Sequence, residues 1–428
     1  MKKNYYQLDT KVDKDYFLHI NFMNNSHVLL NRELHEMYAN AERVEDIKTQ
    51  NQKLYNTLVE HGFIINKDFD ELSYIEFEKN KSKFDNSQYH IVINPTLDCN
   101  LSCWYCYEKK QEKSAIQRDV IEGIKKNIII HDEQSPFRTL KLSFFGGEPF
   151  LKFDAIKNLT NFASDFCKRN NKSFILDFTT NGSIIKKEHL ETISQFPCVF
   201  QITLDGNRKQ HNKIKFVKDR KIDTYQLTLN NIKNILEIID NCFVAVRINF
   251  DAHTLNYFDD ILEDIKNLDR KRVKIILKRI WQVDDKIINK EVLLETIQKL
   301  FDNDFIVDYY TQGGVCFGEM LNEAVVNYDG NVFKCTTIDE FSEQNSYGYL
   351  DTETGEIIWN RKLFTVGYDL TKDKCKKCKL YPSCLGRCTL HLMNGDDDCF
   401  IESLNMSLAE YMMFLYKNEM ISKKIFNK

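Results

Sequence analysis

The chain has 428 residues, 43% of them hydrophobic and 29% charged, with a net charge of −4. That is ordinary for a globular protein of two or three domains with a sizeable core, and it gives no hint of a nucleic-acid-binding surface. The N-terminus MKKNYYQLDTKVDKDYF has no apolar signal region and no run reaches membrane-spanning length, so a cytoplasmic protein without a membrane partner is expected.

Residues 1–84 read as a separate unit. FLHINFM and HVLLN flank the turn NNS as a hairpin; NQKLYNTLVEHG comes next as a helix with Leu54, Tyr55, Leu58 and Val59 on one face and Gly62 suited to its end; FIIN is a further strand. Hairpin, helices and strand in this order make a winged-helix-like module, and the polar patch NKSKFDNSQ separates it from the rest of the chain.

From residue 85 to about 305 strands alternate with amphipathic helices such as DTYQLTLNNIKNILEIID. The strands are YHIVINPT, TLKLSFF, SFILDFTT, CVFQITLD, FVAVRINF and RVKIILKRI. Such alternation implies parallel strands with crossover helices, and six repeats fit an α/β fold of the partial (β/α)6 barrel type, whose chemistry sits at the C-terminal strand ends. Residues 306–428 lose the alternation, become rich in cysteine and close with a helix on which Leu404, Leu408, Met412 and Leu415 share a face. The basic run DRKRVKIILKR is explained by a solvated face or strand edge.

Thirteen cysteines in a cytosolic chain argue against a disulfide framework and for metal binding or catalysis. Cys167, Cys198 and Cys242 stand alone and read as buried structural thiols. After the first barrel strand, LDCNLSCWYCYE spaces Cys99, Cys103 and Cys106 as C-x3-C-x2-C. Three thiolates in one loop can hold a cubane iron–sulfur cluster with one iron left open; a zinc loop is the other reading, though structural zinc normally closes its coordination with four ligands. The next strand ends in FFGGEP, where Gly146 and Gly147 let backbone approach a ligand and Glu148 can accept from an ammonium group. The third and fourth strands end in TTNG and LDG, and Arg247 on the fifth is an inward candidate for pairing with a carboxylate.

With an aromatic residue, Tyr105, before the third cysteine and GGEP one strand later, residues 89–305 resemble the radical S-adenosylmethionine superfamily. The resemblance implies a [4Fe–4S] cluster on Cys99, Cys103 and Cys106 whose open iron binds S-adenosylmethionine. Gly146, Gly147 and Glu148 would contact the methionine amino end, Tyr105 the adenine, and Asn181, Asp205 and Arg247 would be further cofactor contacts. It implies hydrogen abstraction by a 5′-deoxyadenosyl radical, and a small electron-transfer protein, flavodoxin or ferredoxin, as reductant.

The later cysteines run Cys316, Cys335, Cys375-x2-Cys378-x5-Cys384-x3-Cys388 and Cys399, with NYDGNVFKC reading as a hairpin that turns at Asp329-Gly330. In order and spacing they resemble the SPASM extension of peptide-modifying radical enzymes. The resemblance implies one auxiliary [4Fe–4S] cluster on Cys375, Cys378, Cys384 and Cys399, and another on Cys316, Cys335 and Cys388. The latter is completed by a group such as Glu319 or left open, and an open site is favoured here. The function implied is maturation of a ribosomally made precursor peptide, its leader captured as an added strand by residues 1–84, with an intramolecular cross-link as product and a thioether favoured over a carbon–carbon bond. The module can also be read as a cap that only packs on the barrel. An anaerobic sulfatase maturase, forming formylglycine, is the alternative. Against it stand the 98 residues before Cys99 and Thr336, rather than an acidic base, after Cys335. A non-catalytic zinc protein is a remote third reading.

Overall fold

The computed structural model describes residues 1–217, 221–280, 282, 288–310, 314–360, 371–386, 388, 392 and 399–427. They form two compact units, Met1–Phe84 with Tyr310–Glu319 and Gly367–Met420, and Asp85–Tyr309 with Met320–Val366 and Ile421–Lys428.

The first unit opens with β1 (Lys2–Lys3), β2 (Gln7–Lys11), β3 (Tyr16–Asn21) and β4 (Ser26–Asn31), followed by α1 (Arg32–Asn40), α2 (Val44–Gln50), α3 (Gln52–Glu60), β5 (Ile64–Ile65) and α4 (Glu71–Lys83). The expected hairpin is β3–β4, but β2 pairs with β3 to make three antiparallel strands, and β1 pairs with β5. QLDTK carries no apolar alternation, so nothing local marked β2 as a strand. Helix α3 starts where Asn51 accepts from Leu54 N, and the chain leaves it through Gly62 at φ +70°. Leu54 and Leu58 join Val28, Leu30, Tyr38, Ile47 and Phe63 in one apolar core. The polar patch read as a separator is partly helical, since α4 runs through Lys83. This helix is largely inverted: Glu71, Lys79 and Lys83 are buried along with Ile75, while Tyr74 and Phe77 on it and Phe84 at its end are exposed.

The second unit contains all six expected strands, as β6 (Gln88–Asn94), β7 (Thr139–Phe144), β8 (Ser173–Thr180), β9 (Cys198–Thr203), β10 (Cys242–Phe250) and β11 (Val273–Arg279). They are parallel neighbours in chain order. A short seventh strand, β12 (Ile306–Asp308), extends one edge in parallel. At the other edge β13 (Glu323–Asn327) pairs in parallel with β6 and turns at Gly330, φ +86°, into β14 (Asn331–Phe333), the expected hairpin. Two more strands, β15 (Gly348–Leu350) and β16 (Ile357–Trp359), complete an open sheet of eleven.

Alternation along the strands separates two faces. Phe144, Phe178, Phe200, Val246 and Ile275 are fully buried. The opposite positions Lys141, Asp177, Gln201, Thr203, Arg247 and Lys274 are only half-buried. Parallel sheets are normally apolar on both faces; here one face mixes polar side chains with half-buried Ile175, Val199, Phe243 and Ile276 and reaches solvent, with the ion pairs Lys141–Asp177 at 2.6 Å and Lys274–Asp308 at 3.2 Å lying on it. Cys167, Cys198 and Cys242 are buried, as expected. No helix among the described residues is long and apolar enough to cross a membrane.

Candidate active site at the strand ends

Cys99, Cys103 and Cys106 lie in the loop after β6. The loop is held on three sides by backbone. Gly147 N donates to Thr96 O and Glu148 N to Asp98 O from the β7 turn, and Ser102 N donates to Phe216 O. The two glycines are required by this packing. Gly146 sits at φ +95°, where a Cβ would lie 2.4 Å from Thr96 O, and a Cβ on Gly147 would lie 2.2 Å from Asp98 O.

Glu148 is wholly buried. Its carboxylate accepts from Thr180 Oγ1 at 2.8 Å, Asn181 N at 2.9 Å and Phe150 N at 3.1 Å, tying the end of β7 to the end of β8. Burial raises its pKa despite these donors. Asn181 reaches the cysteine loop, donating to Asn100 Oδ1 at 2.9 Å and lying 3.7 Å from Cys99 Sγ.

Tyr105 and Asp205 meet in a short hydrogen bond between hydroxyl and carboxylate. Asp205 also accepts from Asn249 N at 3.0 Å, and Asn249 in turn donates to Tyr105 Oη and accepts from Arg247 Nε at 2.9 Å. Tyr105, Asp205 and Arg247 therefore belong to one network. Sequence reading missed a member of it, Lys215, which is 4% exposed and stands 3.8 Å from Asp205. Burial works against its charge, but Cys103, Asp205, Cys99 and Glu148 around it together hold the ammonium above the ordinary lysine value. The only signal was an isolated charge between Ile214 and Phe216.

The donor set fits a cluster. Burial, with Glu148 adding to it, pushes the Cys99 thiol up to about 12, and burial raises Cys103 and Cys106 as well. Thiols this hard to ionise become thiolates when a metal supplies the compensating charge. Among the described residues no three His, Cys, Asp or Glu side chains are gathered to a single ion. A cubane asks for less, because each thiolate binds a different iron.

In the first unit, burial foremost, with Cys375, Cys399 and Cys378 adding to it, pushes the Cys384 thiol up to about 11. Cys316 and Cys388 belong to the same unit, whereas Cys335 belongs to the second, beside Tyr107, whose hydroxyl donates to Thr336 O. Glu319 gives its carboxylate to Lys83 at 2.9 Å, both side chains being nearly buried.

Residues 93–265 match the model of the Radical SAM superfamily. The chain is 22% identical over 420 residues to the radical SAM cyclopropyl synthase TigE of Paramaledivibacter caminithermalis, covering 88% of this chain and 83% of that one. It is also 22% identical over 371 residues to the cysteine-type anaerobic sulfatase-maturating enzyme of Clostridium perfringens, covering 76% and 94%. The solved structure of anSMEcpe with bound AdoMet superposes with a TM-score of 0.55 at 17% identity, over 80% of this chain and 98% of that one, and the same protein has been solved with AdoMet and a bound peptide. The thiol loop and the glycine turn packed on its backbone both lie inside the matched segment, so residues 93–265 carry a radical SAM domain.

Proposed function

We propose that the chain is a maturase of a ribosomally made precursor peptide and installs an intramolecular cross-link, a thioether in preference to a carbon–carbon bond. The observation that carries the peptide reading is the half-buried, partly polar face of the parallel sheet, which can receive a peptide side chain at the strand ends. The anSMEcpe complex with a peptide and AdoMet points the same way.

Cys99, Cys103 and Cys106 would hold the [4Fe–4S] cluster; Gly146, Gly147 and Glu148 would border the methionine end of S-adenosylmethionine, with Tyr105, Asn181, Asp205 and Arg247 around the rest. Bound together and reduced by one electron, cluster and S-adenosylmethionine supply hydrogen-atom abstraction through a 5′-deoxyadenosyl radical. The chain's own part is placement. The Gly146–Gly147 turn fixes the loop against β7, Glu148 locks the ends of β7 and β8 together, and the Tyr105–Asp205–Asn249 network orients the aromatic ring. Auxiliary [4Fe–4S] clusters are proposed on Cys375, Cys378, Cys384 and Cys399, and on Cys316, Cys335 and Cys388. With Glu319 held by Lys83, the latter set is assigned an open position. A cluster held there by Cys316, Cys335 and Cys388 would supply a position for a substrate thiolate or an acceptor for an electron.

Anaerobic co-expression with each short peptide encoded beside the gene tests the reading by mass spectrometry. A cross-linked product is lighter by two hydrogen atoms and resists thiol alkylation if the bond is a thioether. A peptide aldehyde would establish the sulfatase-maturase alternative instead, and unmodified peptides would reject both.

A further inference from the structure

The first unit carries a cleft of about 660 Å³ lined by the segment from Lys2 to Gln7, the first residues of α4 and Lys379. Its two carboxylates are already used. Asp70 caps α4, accepting from Ser73 N and Oγ, and Glu71 accepts from Lys2 Nζ at 2.6 Å and Tyr5 N at 2.8 Å. Two further ammonium groups border the cleft. Lys3 lies 5.1 Å from the Tyr38 ring centre and donates to Ala39 O, and Lys379 lies 3.4 Å from the Tyr5 ring centre. Partial burial lowers the pKa of both lysines, so an incoming carboxylate would restore stabilisation that water no longer provides. Beside them stand Tyr5, 44% exposed, and Leu72, 37% exposed, which give the cleft an apolar wall.

We propose that this cleft docks an acidic segment of the precursor peptide, its carboxylates on Lys3 and Lys379 and a neighbouring apolar side chain against Tyr5 and Leu72. The proposal rests on the peptide-maturase reading. Charge complementarity selects the occupant: both carboxylates are neutralised or capped within the unit, whereas Lys3 and Lys379 meet only backbone carbonyls, Ala39 O and Tyr5 O, and aromatic rings, with no carboxylate partner among the described ion pairs. The floor of the cleft also touches the auxiliary cysteines. Tyr5 Oη donates to Lys377 O at 2.7 Å and Tyr6 Oη to Lys376 O at 2.8 Å, the two carbonyls between Cys375 and Cys378. A docked peptide therefore presses on the residues that fix that turn.

The test titrates each neighbour-encoded peptide, synthesised with a fluorescein tag, against the anaerobically purified holoenzyme by anisotropy. The expected result is one acidic binder, weakened about tenfold by Lys3→Glu combined with Leu72→Glu and weakened again by raised salt. Exchanging the peptide's acidic residues for lysine should restore binding to the double variant, which a misfolded variant would not permit. Affinity within twofold of the parent in the double variant would overturn the cleft while leaving the peptide reading intact. If no neighbour-encoded peptide binds the parent enzyme, the peptide reading falls and the cleft with it.

Discussion

The two cysteine groups of this chain are supported in different ways. The loop of Cys99, Cys103 and Cys106 is set by main chain. Strand ends place it, glycines press on its carbonyls, and backbone amides of the β7 turn bond to it. The turn of Cys375 and Cys378 lies in no sheet and is braced by side chains from the far end of the chain. Tyr5 and Tyr6 donate to its carbonyls, Cys375 packs with Tyr6, Ile75 and Tyr381, and Cys378 packs with Leu18, Ile20 and Phe22. A site built on backbone geometry tolerates change in its neighbours but not in its glycines. A site built on side-chain braces is sensitive to residues hundreds of positions away.

The comparison breaks most visibly at the first group. Cys103→Ala should lower 5′-deoxyadenosine formation by about 10³-fold or more, with about four irons lost per chain from about twelve. Full iron content together with full turnover would remove that loop from the chemistry. Gly147→Ala comes next. Its new Cβ, 2.2 Å from Asp98 O, must displace the cysteine loop, and a shift near 1 Å at a reacting centre costs about 10²-fold in rate. The loss should appear in kcat for reductive cleavage of S-adenosylmethionine.

At the second group the effect should be selective. Tyr5→Phe with Tyr6→Phe removes two hydrogen bonds worth about 1 kcal/mol each while keeping both rings. Auxiliary-cluster signals in electron paramagnetic resonance should weaken or shift, while the signal that responds to S-adenosylmethionine persists. An unchanged auxiliary spectrum would show that the tyrosines do not hold the turn. The same contacts mean that deleting residues 1–84 would disturb these cysteines as well as any peptide capture, so point substitutions are the cleaner probe.

How much was legible divides along the same line. The six parallel strands, the hairpin at Gly330 and the thiol loop after β6 could be read because apolar alternation and local spacing encode them. Glu148 shows where local reading ends. Phe150 N in its own turn donates to it, and so do Thr180 Oγ1 and Asn181 N at the β8 strand end, which GGEP alone does not contain. Lys215, the β1–β5 pair, the inverted helix α4 and the tyrosine braces depend on long-range pairing of segments with no periodic pattern.

The smallest expected effect concerns acid stability of the first unit. His19 is buried, and burial, opposed by Asp9 and assisted by His35, lowers its pKa from 6.5 to about 4. The folded state thus binds fewer protons than the unfolded state between these values. Stability present above about pH 6.5 is lost as pH falls towards 4. Replacing His19 with Phe should flatten that part of the acid-unfolding curve, and an unchanged slope would assign the acid sensitivity elsewhere.

The most direct measurement uses a peptide substrate found by co-expression, deuterated at the carbon that becomes cross-linked, in a single anaerobic turnover. The maturase mechanism predicts deuterium in the 5′-deoxyadenosine released and a peptide lighter by its lost deuterium and one hydrogen. 5′-Deoxyadenosine without deuterium, formed while the peptide is converted, would contradict direct abstraction from that carbon and with it the proposed maturase mechanism.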